Sequence, residues 1–531
     1  MNIKDLPSVR DRLIPGILSS NRVLIDWRRW DRATVARVIA IIIVVTVAVG
    51  LRVWGLNQLG YNTDEAVYAG QAAAIAKDPT LKEIFPIFRA HPLLFQFILA
   101  LVFQFGVSDI AGRLTAVAIS LATVFLVYRV GTVLYGQKPG LLAGLFLALM
   151  PYHVVVSRQV LLDGPLVFCS TLVIYFLARF AMTERPAWLY LTGVGMGLTF
   201  LAKETGIILL GAIYAFLAIS HEIRVRVKDM VLSTIFLALM IAPFPLSLLL
   251  AGGSRSGKNY LVWQLFRRSN HPWDFYPTTV PVSIGLLVIA AALLGLWFLR
   301  HEKSWRERLL LCWIVVPAVF FQIWPTKGFQ YLLPIAPPIA VLAGRALARW
   351  WPEDISFSRI RISRALIKTT TVGIIAFSLL LSSIQIITPA TSGAFVAGTG
   401  GVPGGREAGQ WIEKNIPSGA TFMTIGPSMA NILQFYGHRK AYGLSVSPNP
   451  LRRNPSYPPI LNPDMQIRNG EIQYIVWDSF SAERSSFFSE GLLRFAKRYH
   501  GRVIHTQSVK VFLSDGTTVD KPVIIIYEVR P

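Results

Sequence analysis

The sequence predicts an all-α polytopic membrane domain of about eleven spanning helices, followed by a small extracytoplasmic α/β domain. Three observations carry that expectation. Of the 531 residues, 53% are hydrophobic and only 15% are charged, against roughly a quarter charged in soluble domains. The apolar residues run in blocks, as in Val38 to Gly50, Gly140 to Met150, Ile284 to Leu299 and Thr370 to Ile387. From about Gly393 the blocks stop and short alternating segments take over.

Each block implies a helix, because hydrocarbon offers no partner to an unpaired backbone group. About 20 apolar residues cross a bilayer. The first span is expected near 36–56, then 110–134, 140–156, 164–181, 187–202, 205–220, 230–251, 280–299, 308–324, 329–348 and 366–388. The block Pro92 to Phe105 is too short to cross and is expected to lie as a re-entrant or interfacial helix on the outer side. With that parity the basic loops, among them Arg224/Arg226/Lys228 and Arg345/Arg349/Arg359/Arg361/Arg364, fall inside, as the positive-inside rule requires.

The net charge of +23 therefore reflects topology, and nucleic-acid binding is not expected. The N-terminal segment 1–35 is basic and cytoplasmic, and the following helix acts as a signal anchor. The two cysteines, Cys169 and Cys312, sit in separate apolar blocks and imply no disulfide. The domains follow: a basic N-terminal segment at 1–35, a membrane domain at 36–390 with its first outer loop at 57–109, and a soluble domain at 393–531. In the last, helices are expected at Arg406–Asn415 and Ser428–Tyr436. Strands are expected at Thr421–Ile425, Tyr474–Trp477 and Val523–Val529.

With this threading, ionisable residues gather at the outer membrane ends. Asp64 and Glu65 follow the first span, His91 opens the short block and Arg113 begins the next span. Arg158 and Asp163 lie in one outer turn, Lys203 and Glu204 in another, and Lys327 in a third. The outer loop 252–279 carries Arg255, Lys258, Arg267 and Arg268 among Trp263, Trp273 and Tyr276. Charge beside hydrocarbon is costly and marks function more often than chance. Carboxylates can take a proton or hold a metal, and arginines can grip phosphate in bidentate fashion. Taken singly, Lys203–Glu204 reads equally well as an interfacial ion pair, and His91 as a packed histidine.

These residues also resemble a known family. Asp64-Glu65, His91-Pro92-Leu93, Phe105-Gly106-Val107-Ser108 leading to Arg113-Leu114, Ser157-Arg158 with Asp163, Gly197 to Lys203, and Tyr331-Leu332-Leu333-Pro334 follow the order seen in polyprenyl-phosphate-sugar glycosyltransferases. That superfamily, of the glycosyltransferase C fold, includes the protein O-mannosyltransferases and the lipid A aminoarabinose transferases. The likeness covers about residues 36–350, and it departs at Leu93, where mannosyltransferases typically have a second proline.

The resemblance implies a multi-pass enzyme of the cell membrane. It would move a sugar from a polyprenyl-phosphate donor to a hydroxyl of a glycan, lipid or protein, with inversion. It implies Asp64 as general base, with Glu65 and Asp163 as further catalytic carboxylates. It implies Arg113, Arg158, Lys203 and Lys327 as donor-phosphate ligands, with His91, Glu204, Arg267 and Tyr331 as further site residues. No cofactor is required; a divalent cation on Asp64, Glu65 and Asp163 stays open. A transporter of a lipid-linked or anionic substrate is the alternative, although neither internal repeats nor midplane charges favour it.

Overall fold

The computed structural model describes residues 32–86, 91–250, 263, 267, 269–298, 300–302, 304–349, 355–357, 360–388, 402–454, 456–512 and 517–531. The basic N-terminal segment up to residue 31, and Arg255, Lys258 and Arg268 of the loop 252–279, lie outside them.

The membrane portion is helical. In chain order come α1 (Arg32–Val53), α2 (Thr63–Ile75), α3 (Leu81–Ile84), α4 (Leu94–Phe103), α5 (Asp109–Tyr135), α6 (Gln137–Leu149), α7 (Pro151–Ser157), α8 (Asp163–Thr183) and α9 (Pro186–Ala202). They are followed by α10 (Leu209–Ile219), α11 (Val227–Ile241), α12 (Pro243–Leu250), α13 (Phe275–Ile284), α14 (Leu286–Phe298), α15 (Trp305–Ile323), α16 (Ala336–Arg349) and α17 (Arg364–Ile387). Among the described residues five helices are long and apolar enough to cross a bilayer, or up to seven if each of two bent pairs counts as one span.

The bends have local causes. The expected span 140–156 breaks by 60° where Pro151 opens α7, and the span 280–299 turns by 91° at Gly285, whose φ is +101°. Proline restricts the residue before it and starts a helix well, while glycine alone takes positive φ without strain. The block after His91 forms α4, only ten residues long. At 1.5 Å per residue it measures about 15 Å, half of a bilayer core. Its Phe95, Gln96 and Leu99 are buried, whereas Phe97 and Leu101 face outward.

Two features fit helices standing in lipid. Helix α11 leaves Val231, Leu232, Ile235, Phe236 and Leu239 exposed, which water would penalise and hydrocarbon would not. Helices also meet at small residues. A Cβ on Gly193 would lie 2.1 Å from the Ser233 carbonyl oxygen, and one on Gly197 would lie 2.3 Å from the Met240 Cβ. Such four-residue spacing of glycines lets α9 and α11 approach backbone to backbone.

The C-terminal part adds helices α18 (Gly405–Asn415), α19 (Pro427–Tyr436), α20 (Pro463–Arg468), α21 (Ser479–Arg484) and α22 (Ser486–Arg498). A short hairpin, β1 (Ile355–Phe357) with β2 (Ile360–Ile362), precedes α17. Strands β3 (Thr421–Thr424), β4 (Lys440–Gly443), β5 (Tyr474–Asp478), β6 (Arg502–Phe512) and β7 (Thr518–Glu528) form one sheet in the order β4-β3-β5-β7-β6. The first three run parallel and the last two add antiparallel. The core on one side joins Met423, Ile425, Ile467, Ile475 and Leu492. The expected helices and strands of this region are present. Strands β4 and β6 and helices α20 to α22 come in addition, their apolar content being too sparse to declare them.

Candidate active site

The first turn of α2 carries the two neighbouring carboxylates, and its cap decides where each points. Asn62 accepts the backbone N–H groups of Asp64 and Glu65 through its side-chain oxygen, and Glu65 returns a bond to the Asn62 N–H, a complete capping box. Glu65 thereby turns inward. Both its oxygens take Arg113, at 3.0 Å from Nε and 2.9 Å from Nη2, and Oε1 also accepts the Val160 N–H. Arg113 spends its remaining donors on the carbonyls of Leu56, Leu59 and Gly60. Five N–H groups meet five acceptors, so this buried guanidinium has nothing left for a ligand. Its geometry fits positioning of the 56–65 turn, not the phosphate contact expected of it.

Asp64 turns the other way. Among the described residues no side chain pairs with its carboxylate, and it is open to solvent. Yet it is hemmed in by protein, and that enclosure raises its carboxyl above the ordinary carboxylate range, against the pull of Lys203 and His91. Arg267 and Glu65 lie within electrostatic reach of it as well.

Asp163 is fully engaged. Its two oxygens accept Lys203 Nζ at 2.8 and 2.9 Å, and both residues are buried. The Lys203 ammonium also stands 4.7 Å from the centre of the Tyr331 ring. Next to it in sequence, Glu204 pairs with His91 Nδ1 at 2.9 Å, and the edge of His91 meets Tyr68. The structure therefore brings Asp64, His91, Asp163, Lys203, Glu204, Arg267 and Tyr331 into one neighbourhood. Sequence distances of up to 267 residues separate them (Asp64 to Tyr331).

Arg158 sits beside the first turn of α2, because Gln159 accepts Asn62 Nδ2 and Val160 donates to Glu65. It gives one N–H to the Leu51 carbonyl, and among the described residues no carboxylate pairs with it. Lys327 is placed by its backbone. Asn270 bonds both its N–H and its carbonyl, and Tyr276 does the same to Gly328. Its ammonium lies 5.4 Å from the Trp273 ring centre, again without a described carboxylate.

A divalent cation does not fit the three carboxylates considered for it. Among the described residues no three of His, Cys, Asp and Glu converge as ligands. Glu65 and Asp163 already hold Arg113 and Lys203.

Sequence reasoning missed the supports. Arg52, fully buried, ties α1 to Ser120, to the Ala148 carbonyl and to His153. Tyr436 of α19 accepts the Tyr61 N–H at 2.7 Å and donates to Asp109 at 2.5 Å, with Arg406 of α18 3.6 Å from the same carboxylate. The signal for Asn62 was legible as a capping box, Asn-x-x-Glu. Tyr436 and Arg406 gave none, since only folding brings them to Asp109.

Comparison with known proteins places this geometry. The profile of the dolichyl-phosphate-mannose-protein mannosyltransferase family matches residues 90–248. Over 264 residues the chain is 27% identical to the undecaprenyl phosphate-alpha-4-amino-4-deoxy-L-arabinose arabinosyl transferase of Serratia proteamaculans (strain 568). That stretch is 45% of this chain and 45% of the relative, so the chain spans less than half the length of the curated relatives it matches. The crystal structure of ArnT from Cupriavidus metallidurans bound to undecaprenyl phosphate superposes with a TM-score of 0.67 at 15% identity, covering 93% of this chain and 98% of that one. The archaeal oligosaccharyltransferase AglB from Archaeoglobus fulgidus, in complex with an inhibitory peptide and a dolichol-phosphate, gives 0.53 at 13% identity, covering 92% and 74%. The chain shares the glycosyltransferase C fold of these structures, and over less than half of its length it is similar in sequence to the arabinosyl transferases.

Proposed function

We propose that this chain is an integral membrane glycosyltransferase. It moves a sugar from a polyprenyl-phosphate donor to a hydroxyl of a glycan, lipid or protein acceptor on the extracytoplasmic side. The single observation that carries the reading is the contrast between neighbours: Glu65 is locked by Arg113, while Asp64, unpaired among the described residues, presents a solvent-open carboxylate to a site rich in cations.

Asp64 accepts the proton of the acceptor hydroxyl as its oxygen attacks the anomeric carbon. The bond to the phosphate oxygen breaks on the far side, which inverts the anomeric centre. The polyprenyl phosphate leaves carrying the electron pair. Arg158 and Lys327 have donors uncommitted to described carboxylates and serve that phosphate, together with Arg267, which lies within electrostatic reach of Asp64. Lys203 keeps a third N–H after serving Asp163 and adds positive charge to the same face. Asp163 then acts through Lys203, and Glu204 through His91, as positioning residues. Helix α4, with its outward Phe97 and Leu101, borders the side on which a prenyl tail enters from lipid.

In this reading the bent and shorter helices complete about eleven crossings. Residues 393–531 form the outer domain and the N-terminus is cytoplasmic. The alternative of transport finds no support in these relatives. Mass spectrometry of membrane glycolipids and glycans, with and without the protein, tests the proposal. Loss of one sugar-modified species on deletion is the expected result, and an unchanged profile in cells that make the donor overturns it.

A further inference from the structure

The turn that leads into the base-bearing helix is held from two sides. From α5, Arg113 bonds the carbonyls of Leu56, Leu59 and Gly60 and both oxygens of Glu65. From the C-terminal part, two helix ends lie against the same turn. The Tyr436 hydroxyl, on the last residue of α19, accepts the Tyr61 N–H and donates to Asp109, the first residue of α5. Arg406, in the first turn of α18, donates Nη1 to the backbone and side-chain oxygens of Asn57 at 3.1 and 3.0 Å. The approach is close: a Cβ on Gly60 would lie 2.7 Å from the Arg406 Cβ. Tyr61 is buried there, its ring centre 5.1 Å from that of Phe435.

Where these contacts fall in the chain gives them their consequence. Tyr61 immediately precedes Asn62, whose side-chain oxygen accepts the N–H groups of Asp64 and Glu65. The Tyr61 N–H lies outside the helix and takes its partner from Tyr436, so the hydroxyl fixes the backbone one residue before the cap. A hydroxyl both accepts and donates, and this one also joins that backbone to the start of α5, four residues before Arg113. The cap, the Glu65–Arg113 lock and the direction of Asp64 thus share one support in the C-terminal part.

We propose that Tyr436 and Arg406 are positioning residues for Asp64, so that sugar transfer requires the C-terminal part to be seated on the turn 56–62. Contacts serving cohesion alone have no need to meet the residues that aim a base, and these meet Asn57, Gly60 and Tyr61. Misplacing a reacting group by about 1 Å can cost about 10²-fold in rate. The inference rests on the proposed transferase function for the role of Asp64, while the clasp on the turn can be measured without turnover.

Hydrogen exchange and steady-state kinetics on the full chain in detergent test it together. The donors are undecaprenyl phosphate-alpha-4-amino-4-deoxy-L-arabinose and dolichyl-phosphate mannose, with a membrane glycolipid extract as acceptor. Tyr436→Phe keeps the ring and removes both bonds, and Arg406→Met removes the hold on Asn57. Tyr499→Phe is the control, since its hydroxyl bonds Asp464 within the C-terminal part. In the first two variants the amides of residues 61–65 are expected to lose protection and kcat to fall about tenfold or more, with donor KM unchanged. Tyr499→Phe keeps both at the wild-type level. Added to Asp64→Asn, Tyr436→Phe should lower the residual transfer no further, because a residue acting through Asp64 then has nothing left to position. Thermal melting confirms that each variant is folded, and Arg406→Met keeps the test valid should Tyr436→Phe not fold. Unchanged exchange at 61–65, undiminished kcat in a folded variant, or the full loss repeated in the Asp64→Asn background overturns the proposal. No transfer by wild type, with altered exchange in Tyr436→Phe, would sink the transferase reading and with it the role given to Asp64, while sparing the clasp.

Discussion

Lys203 Nζ lies 2.8 and 2.9 Å from the two oxygens of Asp163, and both side chains are buried, Asp163 in the first turn of α8 and Lys203 just past the end of α9. Neither charge is tolerable there without the other.

Removing one partner should therefore cost far more than removing both. Asp163→Ala strands an ammonium and is expected to destabilise the protein by about 3–5 kcal/mol. The double variant Asp163→Leu/Lys203→Met should recover most of that loss in a detergent melting experiment while remaining inactive. Equal destabilisation by the single and double variants would show that the pair is not the stabilising unit.

Arg113 and Arg158 are expected to separate positioning from donor binding. Arg113→Lys loses the bidentate bond to Glu65 and the carbonyl bonds of the 56–60 turn. It should lower the melting temperature and kcat together, with little change in donor KM. Arg158→Ala should leave the melting temperature within error and raise donor KM about tenfold, the worth of one charge-assisted hydrogen bond. The reverse pattern, found by steady-state kinetics on both variants, would reassign their roles.

Much of this arrangement was legible in the sequence. The apolar blocks marked where helices lie, and the shortness of Pro92 to Phe105 announced α4 as a helix of only ten residues. The gathering of ionisable residues at the ends of apolar blocks pointed to Asp64, Asp163 and Lys203. What stayed hidden depends on contacts between distant segments. Arg113 and Lys327 read alike as cations at helix ends, and only the five acceptors around Arg113 set them apart. The breaks at Pro151 and Gly285 hid within continuous hydropathy. Tyr436 and Asp109 are 327 residues apart, beyond any periodicity.

The C-terminal sheet should carry its own pH signature through Asp478. Burial pushes this carboxyl up to about 6, while Oδ1 caps α21 by accepting the Ser481 N–H. In the unfolded chain it titrates near about 3.9. Between these values the folded form holds the proton and the unfolded form has released it, so stability falls as pH rises through that window. Asp478→Asn keeps the cap and removes the titration. The melting temperature of wild type relative to Asp478→Asn should decline from about pH 4 to 6 and then level off. A flat difference across that range would contradict the assignment.

Asp64 carries the central claim, and the most direct measurement is sugar transfer by Asp64→Asn from a polyprenyl-phosphate donor across pH. A positioned base contributes about 10²–10⁴-fold, so transfer should fall by that much with the melting temperature unchanged. In wild type the rate should rise with pH through a value above the ordinary carboxylate range, because the protein that hems in Asp64 raises its carboxyl and only its deprotonated form accepts a proton. Undiminished transfer by Asp64→Asn, with the same acid limb as wild type, would contradict the account.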